Sequence, residues 1–439
     1  MADLDSALIA AMHFQRHYEP IAMGTEWWEA FILSSNVPKL GLNFLTDQYM
    51  ANAVAELCST LVTFTRASDG TVTGDDGLLD ILGTNVKRLD HDLTGLPLGL
   101  LMEETRTNNT PSSEELDNTL QWSRVLVTVN VDTVTAPDGA TTADEIEENI
   151  TTNNFHRLFS QQNSVLTVDP YTCSIFLKEN ERNWFKIRFD ISGQFDGVFF
   201  NVAAGAGAVG TAVGSATGTI EEFASDWWRC KVTRTMSVAD GLMGPHLATA
   251  DGTDTYAGVV GDGAYGWGAQ IEKGTFATAY IPTTTTDETV TRASETAVAA
   301  TSGWDFSTTA GSLLVIVTPN HTPTAEMVLA LLSDGTANEK IEIYADAAAN
   351  IKFRVVDGGA EQCDIDSGVN AAAGVVVKIA VAWELDDFAI SVNGNTVVAD
   401  TLGTLPVVTQ LEPCENGHTQ LQIAYNVRVA NADLEAVST

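Results

Sequence analysis

The sequence predicts a mainly β protein: two jelly-roll β-sandwiches in tandem, preceded by a small, partly helical amino-terminal region. Three observations predict it. Short runs with alternating apolar and polar positions recur from Tyr171 to the carboxy terminus. Gly, Asn and Asp turn signals separate them at the spacing of a jelly roll. Helical spacing is confined to the first sixty residues, and no heptad pattern persists long enough for a coiled-coil stalk.

The chain has 439 residues, of which 44% are hydrophobic, enough for more than one core. Only 18% are charged, yet 58 acids face 22 bases, a formal charge of −36. Such a surface repels phosphates and anionic lipid heads, so no nucleic acid is expected as a partner. No run of about 18 apolar residues exists, so no membrane insertion is expected. Residues 1–12 lack a basic leader, which predicts a protein made in the cytoplasm without a signal peptide. Cys58, Cys173, Cys230, Cys363 and Cys414 are far apart and odd in number, which excludes a disulfide framework and a zinc site. Each is expected to be a small buried apolar residue.

In chain order, residues 1–60 come first. Leu4, Leu8, Ala11 and Met12 recur on one helical face, with Asp3 or Asp5 to cap it. Trp27 and Trp28 with Phe31 form an aromatic cluster, and Pro38 and Gly41 interrupt. Met50, Val54, Leu57, Cys58 and Leu61 predict a second helix, capped by Thr46 or Asp47. Two short helices cannot cover their own apolar faces. Leu4, Leu8, Met12, Trp27, Trp28 and Phe31 are therefore the candidate attachment residues.

Residues 61–111 read as short extended segments broken by Asp-Gly and Thr-Gly turns, a connecting unit. Arg66, Arg88 and Arg106 lie among Asp90, Asp92, Glu103 and Glu104 and are expected to tie it together by bidentate pairs. Glu103 and Glu104 are adjacent and would face opposite ways on a strand, which argues against a catalytic carboxylate pair.

Residues 112–283 form the first predicted sandwich. Tyr171–Lys178 alternates, as does Trp184–Phe189, with Trp184, Lys186 and Arg188 on one face and Phe185, Ile187 and Phe189 on the other. The stretch 199–219 is rich in Gly and Ala, and after it Trp228 and Cys230 should point inward and Arg229 outward. Tyr265, Trp267, Ala269 and Ile271 alternate with Gly266, Gly268 and Gln270, so one face of this strand is expected to be aromatic and apolar. A turn at Lys273-Gly274 and a return segment from Phe276 to Ile281 follow, stopped by Pro282. Trp267 is read first as a core ring and second as a sugar platform. Trp184 and Trp267 are the candidate carbohydrate-binding residues.

The Thr-rich stretch 283–286 reads as a linker to a second sandwich over 290–439. Strands are expected at 313–317, 327–332, 340–344, 351–355, 375–383 and 388–392, with a type I′ hairpin turn at Asn393-Gly394 and a short helix at the end. The stretch from Cys363 to Gly368 reads as a polar turn. It has half the pattern of a calcium loop without the closing Glu, so no metal is expected. No nucleophile elbow, phosphate loop or zinc-protease motif occurs, and no Glu-x-Asp-x-x-Glu strand, which predicts no enzyme activity and no cofactor.

Several stretches carry a resemblance. WGAQIEKGTFATAYIPT at 267–283 resembles the closing signature of a carbohydrate-binding-module-like β-sandwich common in bacteriophage fibre and head-spike proteins. FTRAS at 64–68, NVKRLD at 85–90 and GLLMEETRTN at 99–108 resemble a second phage-fibre pattern, with Lys87 in place of its usual Pro and His91 in place of an aromatic. Trp122, the stretch 136–144 and IEEFASDWWRCKVT at 220–233 resemble other parts of the same sandwich. The resemblance also implies an edge hairpin over 199–219. TRA at 291–293 resembles the VTRA that commonly follows this sandwich in fibres, and the closing stretch from Asn416 resembles the close of a laminin-G or concanavalin-like sandwich. The resemblance implies a virion structural protein, a fibre or spike on head, collar or tail, with lectin-like domains for host-surface glycans. It implies other virion proteins as partners and a homo-oligomer, a trimer first. A capsid-decoration or collar protein is the alternative, and a polysaccharide-degrading enzyme a more distant one. Residues 1–60 match no part of the pattern and are the expected virion attachment region.

Overall fold

The computed structural model of the chain describes residues 26–160, 167–191, 194–236, 242–283 and 288–439. Among them strands dominate and pair antiparallel throughout into two sandwiches, so the protein is mainly β.

The first sandwich lies wholly within residues 122–273. One six-stranded sheet runs in the order 122–125, 157–160, 242–248, 184–191, 194–201, 208–213. The other runs 127–134, 143–148, 263–273, 170–179, 227–235, 217–223. Alternation fills the space between them. Phe185, Ile187 and Phe189 from one sheet meet Cys173, Ile175, Leu177, Cys230 and Val232 from the other, all fully buried. The Gly- and Ala-rich stretch contains an edge hairpin as expected, formed by 194–201 and 208–213, and the next strand, 217–223, crosses to the edge of the opposite sheet.

The second sandwich is assembled from both ends of the chain. Its larger sheet orders strands 54–56, 48–51, 40–43, 417–425, 310–319, 377–384, 387–392 and 398–400, and strand 97–102 also pairs with 417–425. Its other sheet runs 360–370, 350–357, 340–345, 327–333, 410–412, 296–300, 62–65. The strands at 40–56, 62–65 and 97–102, which the sequence divides between two separate amino-terminal units, are thus structural parts of this sandwich. The first sandwich is an insertion in the second, entered and left through a two-stranded ribbon that pairs Arg106–Asn108 with Val290–Arg292.

Several expectations are corrected. Met50 to Leu61 is not a helix: it holds the hairpin 48–51/54–56 and a single helical turn at Cys58–Leu61. Asn52 and Ala53 both take positive φ, 53° and 60°, and form the tight turn, while Met50 is buried opposite Gly41. Cys363 to Gly368 is not a turn. It lies in the edge strand 360–370, with Cys363 and Ile365 in the core and Asp364 accepting from Lys352 and Tyr344. The strand 263–273 does not keep one apolar face. A bulge falls where Gly268 has φ +63°, and it switches the pleat. Ala269 and Ile271 face the sandwich core, whereas Tyr265 and Trp267 face the opposite side of the sheet. The segment 276–281 returns without a strand ladder. It is held by side chains instead: Gln270 Oε1 accepts from the Ile281 amide and Glu272 Oε1 from the Thr278 amide.

The strands expected at 313–392 form with ends displaced by at most three residues, Asn393 and Gly394 both have positive φ, and a helix closes the chain at Asn431–Val437. Cys173, Cys230, Cys363 and Cys414 are buried free thiols, and burial pushes those of Cys363 and Cys414 up to about 12. Residues 284–287 of the expected linker lie outside the described residues.

Candidate functional site

The two sandwiches meet across residues 64–108. Arg66 gathers its own loop, donating to the carbonyls of Ser68 (2.8 Å), Leu82 (2.9 Å) and Gly83 (2.7 Å), and reaches Glu295 at 2.6 Å. Arg88 pairs with Glu103 at 2.8 Å and closely with Glu295, and Arg292 also pairs with Glu103 at 2.8 Å. Burial opposes ionisation of Glu103, but Arg292 and Arg88 outweigh it and hold the carboxyl at about 2. Arginine ties are therefore present as expected, but their main partners are Glu103 and Glu295. Asp90 instead bonds His418.

The same segment grips the return loop. Thr71 donates to the Tyr280 carbonyl at 2.6 Å, the Ala279 amide donates to Glu103 at 2.8 Å, and Asn108 donates to the carbonyls of Ala269 and Ile281. Phe276 stacks on His321 of the second sandwich with ring centroids 4.0 Å apart.

Beside this junction opens a cleft of about 380 Å³, within the range of small-molecule sites. Its walls come from four stretches far apart in sequence: 71–103, the outward face of strands 217–223 and 227–235, the return loop 277–280, and 318–320 with His418. Its lining mixes apolar side chains, Leu79, Leu98, Leu101 and Phe223 among them, with hydrogen-bonding ones. His418 Nε2 and Asp90 are 2.7 Å apart, and Asp90 also accepts from the Thr73 amide. Lys231 and Glu221 pair at 2.6 Å. Arg229 was expected to point outward. It is on the outward face, but the junction covers that face and leaves it 4% exposed. It donates to Ser174 Oγ at 3.0 and 3.3 Å, and its guanidinium lies over the Phe176 ring at 5.4 Å. Alternation could reveal its face. Nothing local could reveal its cover, nor the meeting of Asp90 with His418.

A second cavity, on the first sandwich, is acidic: Glu114, Glu115, Asp117, Asp132 and Asp144 line it. Burial pushes the Glu114 carboxyl up to about 7 and that of Asp144 up to about 6. Among the described residues no group of three His, Cys, Asp or Glu side chains is placed to hold a metal ion.

The structure does not bring the sequence-predicted site residues together. Trp267 is 1% exposed, packs against Phe176 and Tyr280, and donates its indole N–H to Thr142 Oγ1 at 3.1 Å. Trp184 is half-buried on the outward face of the other sheet, beside Lys186 and Arg188. Trp28 and Phe31 are buried, and Phe31 packs on the outer face of the larger sheet of the second sandwich, with Trp27 half-buried against the same cluster. Leu4, Leu8 and Met12 lie outside the described residues. No helix among the described residues is long and apolar enough to cross a membrane.

The fold and its junction define a class: a β-sandwich protein with a second sandwich inserted in the first-begun one. No protein-family model and no curated protein matches the sequence. Among solved structures, the chain is similar to the Ruminococcus gnavus IT-sialidase CBM40 domain, at 13% identity over 30% of this chain and 84% of that one, with a TM-score of 0.26. It is similar to domain 4 of AbnA, a GH43 extracellular arabinanase from Geobacillus stearothermophilus, at 12% identity over 33% of this chain and 73% of that one, with a TM-score of 0.26. Trypanosoma rangeli sialidase shares 8% identity over 67% of this chain and 60% of its own, with a TM-score of 0.26. Likenesses of this size carry no argument about ligand or activity. That argument belongs to the residues of the cleft.

Proposed function

We propose that the chain is a structural protein of a bacteriophage virion, a non-enzymatic fibre or spike without a cofactor, which adheres to host-surface glycans at the cleft between its sandwiches. One observation carries the proposal. The stretches that resemble phage-fibre patterns, 64–68, 85–90, 99–108 and 267–283, are the ones that build the junction and the cleft wall through Arg66, Arg88, Glu103 and Tyr280. A cleft lined by hydrogen-bonding side chains suits the many hydroxyls of a saccharide. Other virion proteins as partners, virion localisation and assembly as a trimer belong to the same proposal. The test uses the purified full chain and purified particles. Antibody to the chain should decorate projections on the particles, and the chain should be retained on a glycan array. Decoration without glycan retention would favour a capsid-decoration or collar role. An absence of the chain from particles would overturn the virion assignment.

A further inference from the structure

Resting on the adhesive reading, we infer that the cleft selects an acidic saccharide, and that Arg229 is the seat for its carboxylate or sulfate. Three observations on the cleft lead there.

The first is the charge balance of its walls. Three carboxylates line it, and each has a basic partner: Asp90 beside His418, Glu221 with Lys231, and Glu103 with Arg88 and Arg292. Arg229 lies directly opposite Glu221 on the neighbouring strand but forms no ion pair with it, Glu221 being committed to Lys231. Among the described residues no carboxylate forms an ion pair with it, and its side-chain hydrogen bonds go to the neutral hydroxyl of Ser174.

The second is burial. A guanidinium withdrawn from water is costly unless an anion compensates it. The other buried arginines of the junction, Arg66, Arg88 and Arg292, each face glutamate. The third is orientation. Ser174 holds two of the guanidinium nitrogens from one side and the Phe176 ring lies beneath, so the planar fork is fixed before any ligand arrives. A fixed fork at a cavity wall matches the paired oxygens of a carboxylate or sulfate. The chain's charge of −36 repels acidic ligands at long range, so a local cation is what would admit one.

The experiment compares matched glycans on the full chain: uronic-acid oligosaccharides, their methyl esters, sulfated oligosaccharides and neutral ones. The wild-type protein should hold one of the acidic classes about tenfold more tightly than its neutral or esterified counterpart, the size of one charge-assisted hydrogen bond. Arg229→Gln should erase that preference, and Arg229→Lys, which keeps the charge but not the fork, should retain only part of it. The ranking of acid against ester by the wild-type protein decides the matter even if the glutamine variant fails to fold. Equal binding of acid and ester overturns the inference and leaves the adhesive reading standing. So does an acid preference that a folded Arg229→Gln protein keeps. Retention of no glycan of any class overturns both.

Discussion

Replacing Glu295 by glutamine would strip one anion from a buried cluster of three arginines and two glutamates. Glu295 accepts from Arg66 Nη1 at 2.6 Å, from Arg88 Nε at 2.8 Å and from the Glu103 amide at 3.1 Å, and it also pairs closely with Arg88 Nη2. Arg66 and Arg88 are 2% and 0% exposed, so water cannot take its place. The amide that replaces the carboxylate keeps an acceptor but turns donors toward guanidinium groups that cannot accept. Breaking a buried pair on one side typically costs about 3–5 kcal/mol, because the remaining charge is left uncompensated. The exposed pair Lys39–Asp305 provides the control, where Lys39→Ala should cost under about 1 kcal/mol. Urea unfolding at neutral pH, followed by tryptophan fluorescence, reads both. A Glu295→Gln loss no larger than the Lys39→Ala loss would refute the claim that this cluster secures the junction.

Two further outcomes follow from burial. Trp267→Ala should cost about 3–5 kcal/mol in the same assay, since the ring is 1% exposed among Phe176 and Tyr280, and an unchanged midpoint would show that the ring is accessible. Asp144 has a carboxyl raised by burial to about 6, so the stability linked to its proton is present below about pH 4 and lost as pH rises through 6. Asp144→Asn should therefore raise the melting temperature at pH 8, by up to about 3 kcal/mol in stability, and leave it nearly unchanged at pH 4. Equal effects at the two pH values would contradict the assignment.

Much of the strand content was legible because it rests on local alternation. In 350–357, Ile351, Phe353 and Val355 are inward and Lys352 and Arg354 are partly exposed, as their spacing requires. Where local signals compete, the reading failed. Met50, Val54, Leu57 and Leu61 have helical spacing, yet a turn at Asn52-Ala53 and the open edge of strand 40–43 prevailed. Gly268 hid a change of face, because one extra residue in a bulge reverses every side chain beyond it. The cleft was out of reach for a different reason. Asp90, Arg229, Tyr280 and His418 become neighbours only through long-range pairing, and no window of sequence contains two of them.

The insertion of one sandwich in the other also sets an order of events at the ribosome. All the strands of the inner sandwich have emerged once Lys273 clears the exit tunnel, so that domain can close while synthesis continues. The outer one cannot. Strand 417–425, which lies between 40–43 and 310–319, is the last strand made, and until it arrives the early strands at 40–56 have no partner sheet. Some three hundred and fifty residues of chain must therefore be produced while those apolar edges wait, which makes the amino-terminal hairpin the segment most in need of protection from aggregation during synthesis.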